Sequence, residues 1–276
     1  LISIGKYHNL KVLDKKANYI ILDALELGEA ILPVSEGQNL ETGDNVQVFL
    51  YHNSNSGLVA TMKSGISAVG EVAYLTVKSI GKIGAFLDWG LDKDLFVPLA
   101  EQHRPFEEGK SYLVYLYLDK ISGRITASSK INKFIKDYAE GDLEANQEVN
   151  LIIANSTTIG YKAIINNTYW GVLYSSEVFT RLSFGQSIKG YIKNVRDDGR
   201  IDLSLQLVHK DLDKNASLIE DYLETHRGFA PFNDKSDPEA IKRQFGISKL
   251  AFKRAIGTLL KQQKISIKED GIYLNN

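Results

Sequence analysis

The sequence predicts a mostly β, multidomain chain: three small five-stranded β-barrels in tandem, then a domain of three helices and a terminal hairpin. Three observations carry this. The chain has 276 residues, enough for several domains. A pattern of short apolar strands and turn glycines occurs three times with the same internal spacing. After about Leu212 the strand pattern gives way to helical periodicity.

Composition sets the bounds. Hydrophobic residues make up 43% and charged residues 24%, with a net charge of -1. That balance argues against a uniformly basic coat but leaves room for local basic patches. The absence of cysteine excludes disulfides and thiolate zinc sites and fits a reducing, cytoplasmic setting. No apolar run reaches the ~18 residues a membrane-spanning helix needs, and no signal-peptide pattern is visible, so no membrane partner is expected.

The repeat has a fixed order. Ala30 to Glu36, Leu95 to Glu101 and Gly171 to Glu177 are each followed by a turn glycine: Gly43, Gly109 and Gly185. Strands come next at Val46 to Leu50, Tyr112 to Leu116 and Ile188 to Ile192. A second glycine stands 14 residues after the first each time, at Gly57, Gly123 and Gly199. Last strands follow at Leu58 to Met62, Arg124 to Ser128 and Arg200 to Ser204. Several short strands with closely spaced turns suit a small barrel, whose closure removes exposed edges. Ser122-Gly123 and Asp198-Gly199 fit hairpin turns that need positive φ. Between the second and third units, Ile131 to Tyr138 has apolar residues at helical spacing and predicts a short helix and linker.

In the last domain, Leu218, Ile219, Tyr222 and Leu223 form an amphipathic stripe. Gly228 to Asn233 reads as loop. Asp237 and Pro238 supply an N-cap and first helical position for a helix ending at Gly246, and Ser248 caps the next. Ile265 to Lys268 and Gly271 to Leu274 read as paired strands. Three helices plus a terminal hairpin is the winged-helix order. The expected limits are 1–64, 65–137 and 145–208 for the barrels and 212–276 for the winged helix.

The second unit resembles an S1-type RNA-binding domain of the OB-fold group. Gly84-Ala85-Phe86 matches its "FGAF" strand, with Ile83 in place of the first aromatic. Leu95 to Glu101 matches "GLVHISE", Glu108-Gly109-Lys110 matches "xGD", and Gly123 to Ser128 matches "GRISLS". The third unit matches through Val172 to Glu177 and Gly199 to Ser204, and the first mainly through repeat spacing. Three S1/OB-like barrels followed by an α+β winged helix resemble the conserved virulence factor B family of bacterial RNA-binding proteins.

Such barrels hold single strands by stacking bases on outward aromatics while cations meet phosphates. The resemblance implies two aromatics on the second strand, a His or aromatic on the third, and an acidic-plus-Arg pair at the last turn. In the second unit this carries over to Phe86, Asp119 and Arg124, with Lys82 beside them; Ile83 and Pro98 depart from the pattern. In the third, Tyr174 and Arg200 hold the family positions, Asp197 is near, and Ile159 and Lys162 stand where the aromatics belong. Tyr161, Tyr169 and Trp170 are its compensating candidates. The first unit has Pro33 at the third-strand position and Tyr19 as its candidate aromatic, read as a core residue. Trp89 is open between a loop aromatic and a packing anchor.

The winged helix carries eight basic and no acidic residues from Ile241 to Lys268. Lys249, Lys253 and Lys261, with Arg254, fall largely opposite the Phe252/Ile256/Leu259 stripe, a surface suited to phosphates.

Enzymatic constellations are not found. Five scattered histidines have no metal-ligand spacing, and neither a Walker loop nor a dinucleotide fingerprint occurs. The expectation is a non-catalytic, cofactor-free protein binding single-stranded RNA, with a post-transcriptional role in gene expression, including virulence genes, that the resemblance implies. A DNA-binding transcription regulator reading duplex through the winged helix is the alternative, and a ribosome or protein-interaction module a third.

Overall fold

A computed structural model describes residues 1–178, 180–206 and 208–275. Three closed five-stranded barrels and a winged-helix domain make up the chain. The first barrel comprises β1 (Tyr7–Lys15), β2 (Tyr19–Asp23), β3 (Glu29–Pro33), β4 (Asn45–His52) and β5 (Leu58–Thr61), in the order β1-β2-β3-β5-β4. The second comprises β6 (Val72–Gly81), β7 (Gly84–Asp88), β8 (Leu95–Pro98), β9 (Ser111–Leu118) and β10 (Ile125–Ser128). The third comprises β11 (Glu148–Thr157), β12 (Gly160–Ile165), β13 (Tyr169–Tyr174), β14 (Ser187–Val195) and β15 (Ile201–Ser204). The connections repeat: the third strand of each barrel lies beside its fifth.

Each first strand is bent by a bulge, at Val12/Asp14, Val77/Ser79 and Ile153/Asn155. A bulge bends the strand and adds local twist, which these nine- and ten-residue strands need to curve around a five-stranded barrel. Gly123 and Gly199 hold φ of 66° and 81° in their hairpins, as their turns require. The first barrel solves the same turn differently: Ser56, not Gly57, takes the positive φ of 64°, while Asn53 Oδ1 accepts from the Asn55 and Gly57 amides.

The chain divides into two compact units. One contains residues 1–138, 150–171 and 180–188; the other contains 139–149, 172–179 and 189–276. In the first unit, one apolar cluster joins Phe49, Tyr51 and Ile66 to the second barrel's Val77, Ala85, Leu87, Leu95 and Val97. Trp89 belongs to that cluster. Its ring meets Phe49 edge-on at 6.1 Å and its Nε1 donates to the Lys93 carbonyl at 2.6 Å, so it is a packing anchor.

Two expected elements differ. The helix over Ile131 to Tyr138 is one 3₁₀ turn, Ile131–Lys133. The chain leaves it because Phe134 stacks on Tyr115 at 4.2 Å, and the Lys136 amide and carbonyl bond to the Thr168 carbonyl and Trp170 amide. Packing partners on both sides produced the helix-like apolar spacing. Within the expected loop at Gly228–Asn233, β16 (Phe229–Ala230) pairs with the terminal hairpin.

The winged helix runs α1 (Val208–Thr225), β16, α2 (Pro238–Phe245), α3 (Lys249–Lys261), β17 (Ile265–Lys268) and β18 (Gly271–Leu274). Asp237 accepts from the Ala240 amide at 3.0 Å and Ser248 from the Ala251 amide at 3.2 Å, as N-caps do. Gly246 closes α2 with φ 69°. The core gathers Ile219, Leu223, Ile241, Phe252, Ile256 and Leu259.

Candidate nucleic-acid interface

Strand alternation decides which side chains of the second barrel face outward. On β7, Ala85 and Leu87 are buried and Phe86 lies between them facing out; on β8, Leu95 and Val97 are buried and Phe96 faces out. Register then aligns them. Phe86 sits opposite Phe96, Phe96 beside Thr126 of β10, and Thr126 opposite Tyr117 of β9. One line of outward residues therefore crosses four strands. The Phe86 and Phe96 rings are 5.2 Å apart and tilted by 38°. Thr126 is small and nearly covered. At the far end Phe134 stacks on Tyr117 and Tyr115.

Gly84 makes the first part possible. A Cβ there would lie 2.6 Å from the Phe96 ring and 2.3 Å from the Val97 carbonyl oxygen. Without a side chain, β7 lets Phe96 lie across it, beside Phe86. The half-buried pair offers ring faces already held in place, which lowers the ordering cost of stacking.

Charge around this row is uneven. Lys82 is exposed in the β6–β7 turn, next to Ile83, which is 69% exposed where the family pattern places an aromatic. Arg124 is exposed immediately before β10 and close to Lys93. Burial lowers the Lys93 ammonium pKa, and Arg124 lowers it further. The Tyr117 end is acidic: burial, then Glu101 and Asp119, push its phenol up.

Asp119 and Arg124 do not form the expected pair. Asp119 Oδ1 instead accepts from the Ser122 amide at 2.7 Å, the Ser122 hydroxyl at 2.8 Å and the Ile121 amide at 3.2 Å. These bonds, chiefly from Ser122, hold its carboxyl below the usual range. The carboxylate organises the turn from which Arg124 emerges.

The third barrel's candidates are engaged within the protein. The Tyr174 hydroxyl donates to Asp202 at 3.2 Å and meets the Arg196 guanidinium, which also pairs with Asp202 at 2.7 Å. Arg196, not Arg200, thus accompanies the aromatic. Arg200 lies 3.7 Å from Asp198, with both largely exposed. Lys162 stands over the Trp170 ring at 4.1 Å and 3.9 Å from Asp137, while Tyr161 is half-buried on β12. Tyr19 of the first barrel is 39% exposed, contrary to its core reading, because it opens β2 at the barrel's rim.

On α3, Lys253, Arg254 and Lys261 are exposed and Lys249 is half-buried, with Phe252, Ala255, Ile256 and Leu259 turned to the core. None of the four cations has an ion pair among the described residues. Leu250 and Leu260 share their face, at 61% and 46% exposure. Among the described residues, no group of three His, Asp or Glu could hold a metal.

Sequence reasoning missed Phe96, Tyr117, Phe134 and Arg196. Phe96 was legible: Leu95 and Val97 alternate with it, so its side chain must face away from theirs. The others depend on register and on the path after β10.

Comparison with known proteins agrees with this architecture. An S1 domain model matches residues 4–63 and 69–130, and a CvfB-like winged helix domain model matches residues 217–274. The uncharacterized protein YitL of Bacillus subtilis is 31% identical over 240 residues, covering 83% of this chain and 79% of that protein. Conserved virulence factor B of Staphylococcus aureus is 29% identical over 249 residues, covering 87% and 83%. The chain belongs to the conserved virulence factor B family. Its modules are nucleic-acid-binding types rather than enzyme families. Within the family frame, the first barrel is an S1 domain by direct match, although its sequence suggests one mainly through spacing. Among solved structures, a multidomain protein with nucleic acid binding domains from Streptococcus pneumoniae aligns over 99% of this chain and 98% of that one, at 25% identity and a TM-score of 0.42. No helix of the described residues is long and apolar enough to cross a membrane.

Proposed function

We propose that the chain binds single-stranded RNA, with the outer face of the second barrel as its principal platform, and acts post-transcriptionally on gene expression, including virulence genes. The observation that carries this reading is the line Phe86–Phe96–Thr126–Tyr117 across β7, β8, β10 and β9. Splayed bases can stack on its ring faces, whereas bases paired within a duplex are unavailable for such stacking. Lys82 and Arg124 stand at its margins for phosphates. The Tyr174–Arg196–Asp202 cluster gives the third barrel a supporting role, because its aromatic hydroxyl and guanidinium already satisfy one another.

The α3 surface of Lys249, Lys253, Arg254 and Lys261 supplies a second, sequence-independent phosphate contact. Modules on one chain raise each other's effective concentration, so a strand gripped weakly at each is held firmly overall. The absence of cysteine supports a cytoplasmic setting. That same α3 face supports a second reading, in which the winged helix binds duplex DNA. Competition decides between them. With labelled single-stranded RNA on the protein, unlabelled single-stranded RNA displaces it at far lower concentration than duplex DNA of equal length. Equal or better displacement by duplex overturns the RNA reading.

A further inference from the structure

A second binding feature lies within the first compact unit, away from the Phe86–Phe96 row. A groove of about 730 Å³ runs between the start of β9, the connector after β10, and the β11–β13 strands. That volume suits a nucleotide-sized ligand. Its lining includes Arg104, Lys130, Lys133 and Lys162, together with His103, and contains no Asp or Glu. Two of these cations are already committed: Lys133 pairs with Glu101 at 2.8 Å, and Lys162 lies 3.9 Å from Asp137. Arg104 and Lys130 have no ion pair among the described residues, although Lys130 lies near enough to Glu101, outside the lining, for its charge to help lower that carboxyl's pKa. The Arg104 guanidinium lies 5.6 Å from the centre of the Tyr112 ring, which orients it without neutralising it.

The groove also has an aromatic wall. Phe184 is 50% exposed and meets Tyr74 edge-on at 5.4 Å, so its ring is braced yet accessible. Trp170 closes the floor, its Nε1 donating to Asn132 Oδ1 at 3.1 Å under the Lys162 ammonium. Free cations beside an exposed ring, with no lining carboxylate to repel an anion, match the two-part chemistry of a nucleotide: a phosphate and a planar base.

We infer that this groove is a second nucleotide-binding site, taking a phosphate at Arg104 and Lys130 and stacking a base on Phe184. It rests on the single-strand reading above for its source, a further stretch of the bound strand; a free nucleotide carries the same chemistry. The site extends the RNA path from the barrel face to the junction of barrel and connector.

The test uses the full chain and two readouts. The first is anisotropy of a labelled oligouridylate titrated against Arg104→Glu/Lys130→Glu and, separately, Phe184→Ala. The charge variant is expected to bind about tenfold more weakly, with its salt slope shallower by about 0.7 for the one lost phosphate contact. Phe184→Ala is expected to weaken binding about fivefold or more through lost stacking, with the slope unchanged. The second readout uses Trp89→Phe, which leaves Trp170 as the only tryptophan. Oligouridylate should change its emission saturably, and Arg104→Glu/Lys130→Glu should abolish that change. If uridine monophosphate produces the full change at equal concentration of nucleotide, the groove's ligand is a free nucleotide; if only the strand does, the site belongs to the RNA path. Wild-type affinity and slope in the charge variant, with Phe86→Ala still weakening binding, would overturn the groove and leave the barrel face standing. If the tryptophan variant fails to fold, anisotropy alone decides.

Discussion

Replacing Phe86 with alanine separates stacking from packing more cleanly than any other single change. Phe86 faces outward and is half-buried, its ring 5.2 Å from Phe96. Truncation removes one base-stacking surface, about 1–3 kcal/mol, which is roughly 5- to 150-fold in Kd. The folded barrel loses only part of a side chain's burial, about 1–2 kcal/mol, far below the cost of truncating a buried core aromatic. Phe86→Leu sharpens the comparison: it keeps most of the apolar contact with Phe96 but removes the π face. The assay is fluorescence anisotropy of a labelled single-stranded RNA at fixed salt, with urea unfolding of the same samples. Phe86→Leu should unfold within about 1 kcal/mol of wild type yet bind RNA almost as poorly as Phe86→Ala. Wild-type affinity in Phe86→Leu refutes stacking at this position, and wild-type affinity in both variants removes the row from the binding surface.

Other outcomes follow from the same geometry. Lys253→Glu/Arg254→Glu/Lys261→Glu should weaken RNA binding and flatten its salt slope by about 2, read from Kd across a salt series; an unchanged slope returns α3 to a structural role. Tyr174→Phe should leave RNA affinity within about twofold, because its hydroxyl serves Asp202 and Arg196 rather than a ligand. Trp89→Ala should cost about 3–5 kcal/mol in urea unfolding, since the ring packs on Phe49 inside the shared core. Burial alone raises the Glu101 carboxyl, but hydrogen bonds from Lys133 and Ser128 outweigh it and hold the pKa below its ordinary value. Its contribution is therefore present above the usual glutamate pKa of about 4.3 and lost as pH falls through the lowered one. The urea midpoint should drop on acidification less steeply in Glu101→Gln than in wild type.

Repeat spacing and capping residues made the architecture legible. Three glycine pairs 14 residues apart marked the barrels before any strand was assigned; five of the six glycines hold positive φ in their turns, while in the first barrel Ser56 takes that conformation beside Gly57. Asp237, Gly246 and Ser248 marked the winged-helix boundaries for the same local reason. Local chemistry was less informative where tertiary partners decide. Ile131, Phe134 and Ile135 have helical spacing, yet stacking on Tyr115 and bonding to Thr168 and Trp170 hold the backbone out of a helix. The proposed platform was half legible: Phe86 follows from its motif strand, while Tyr117 joins only through the β9–β10 register. Family position pointed to Arg200, but Arg196 on the opposite side of the turn is the residue that meets Tyr174 and Asp202, a contact only the folded hairpin reveals.

Photo-crosslinking of the full chain to a 4-thiouridine-substituted single-stranded RNA, with the linked peptides mapped, tests the principal platform most directly. Crosslinks within residues 84–98, competed by unlabelled single-stranded RNA and lost in Phe86→Ala, are the predicted result. Efficient crosslinking elsewhere in the chain with none in that segment contradicts the account.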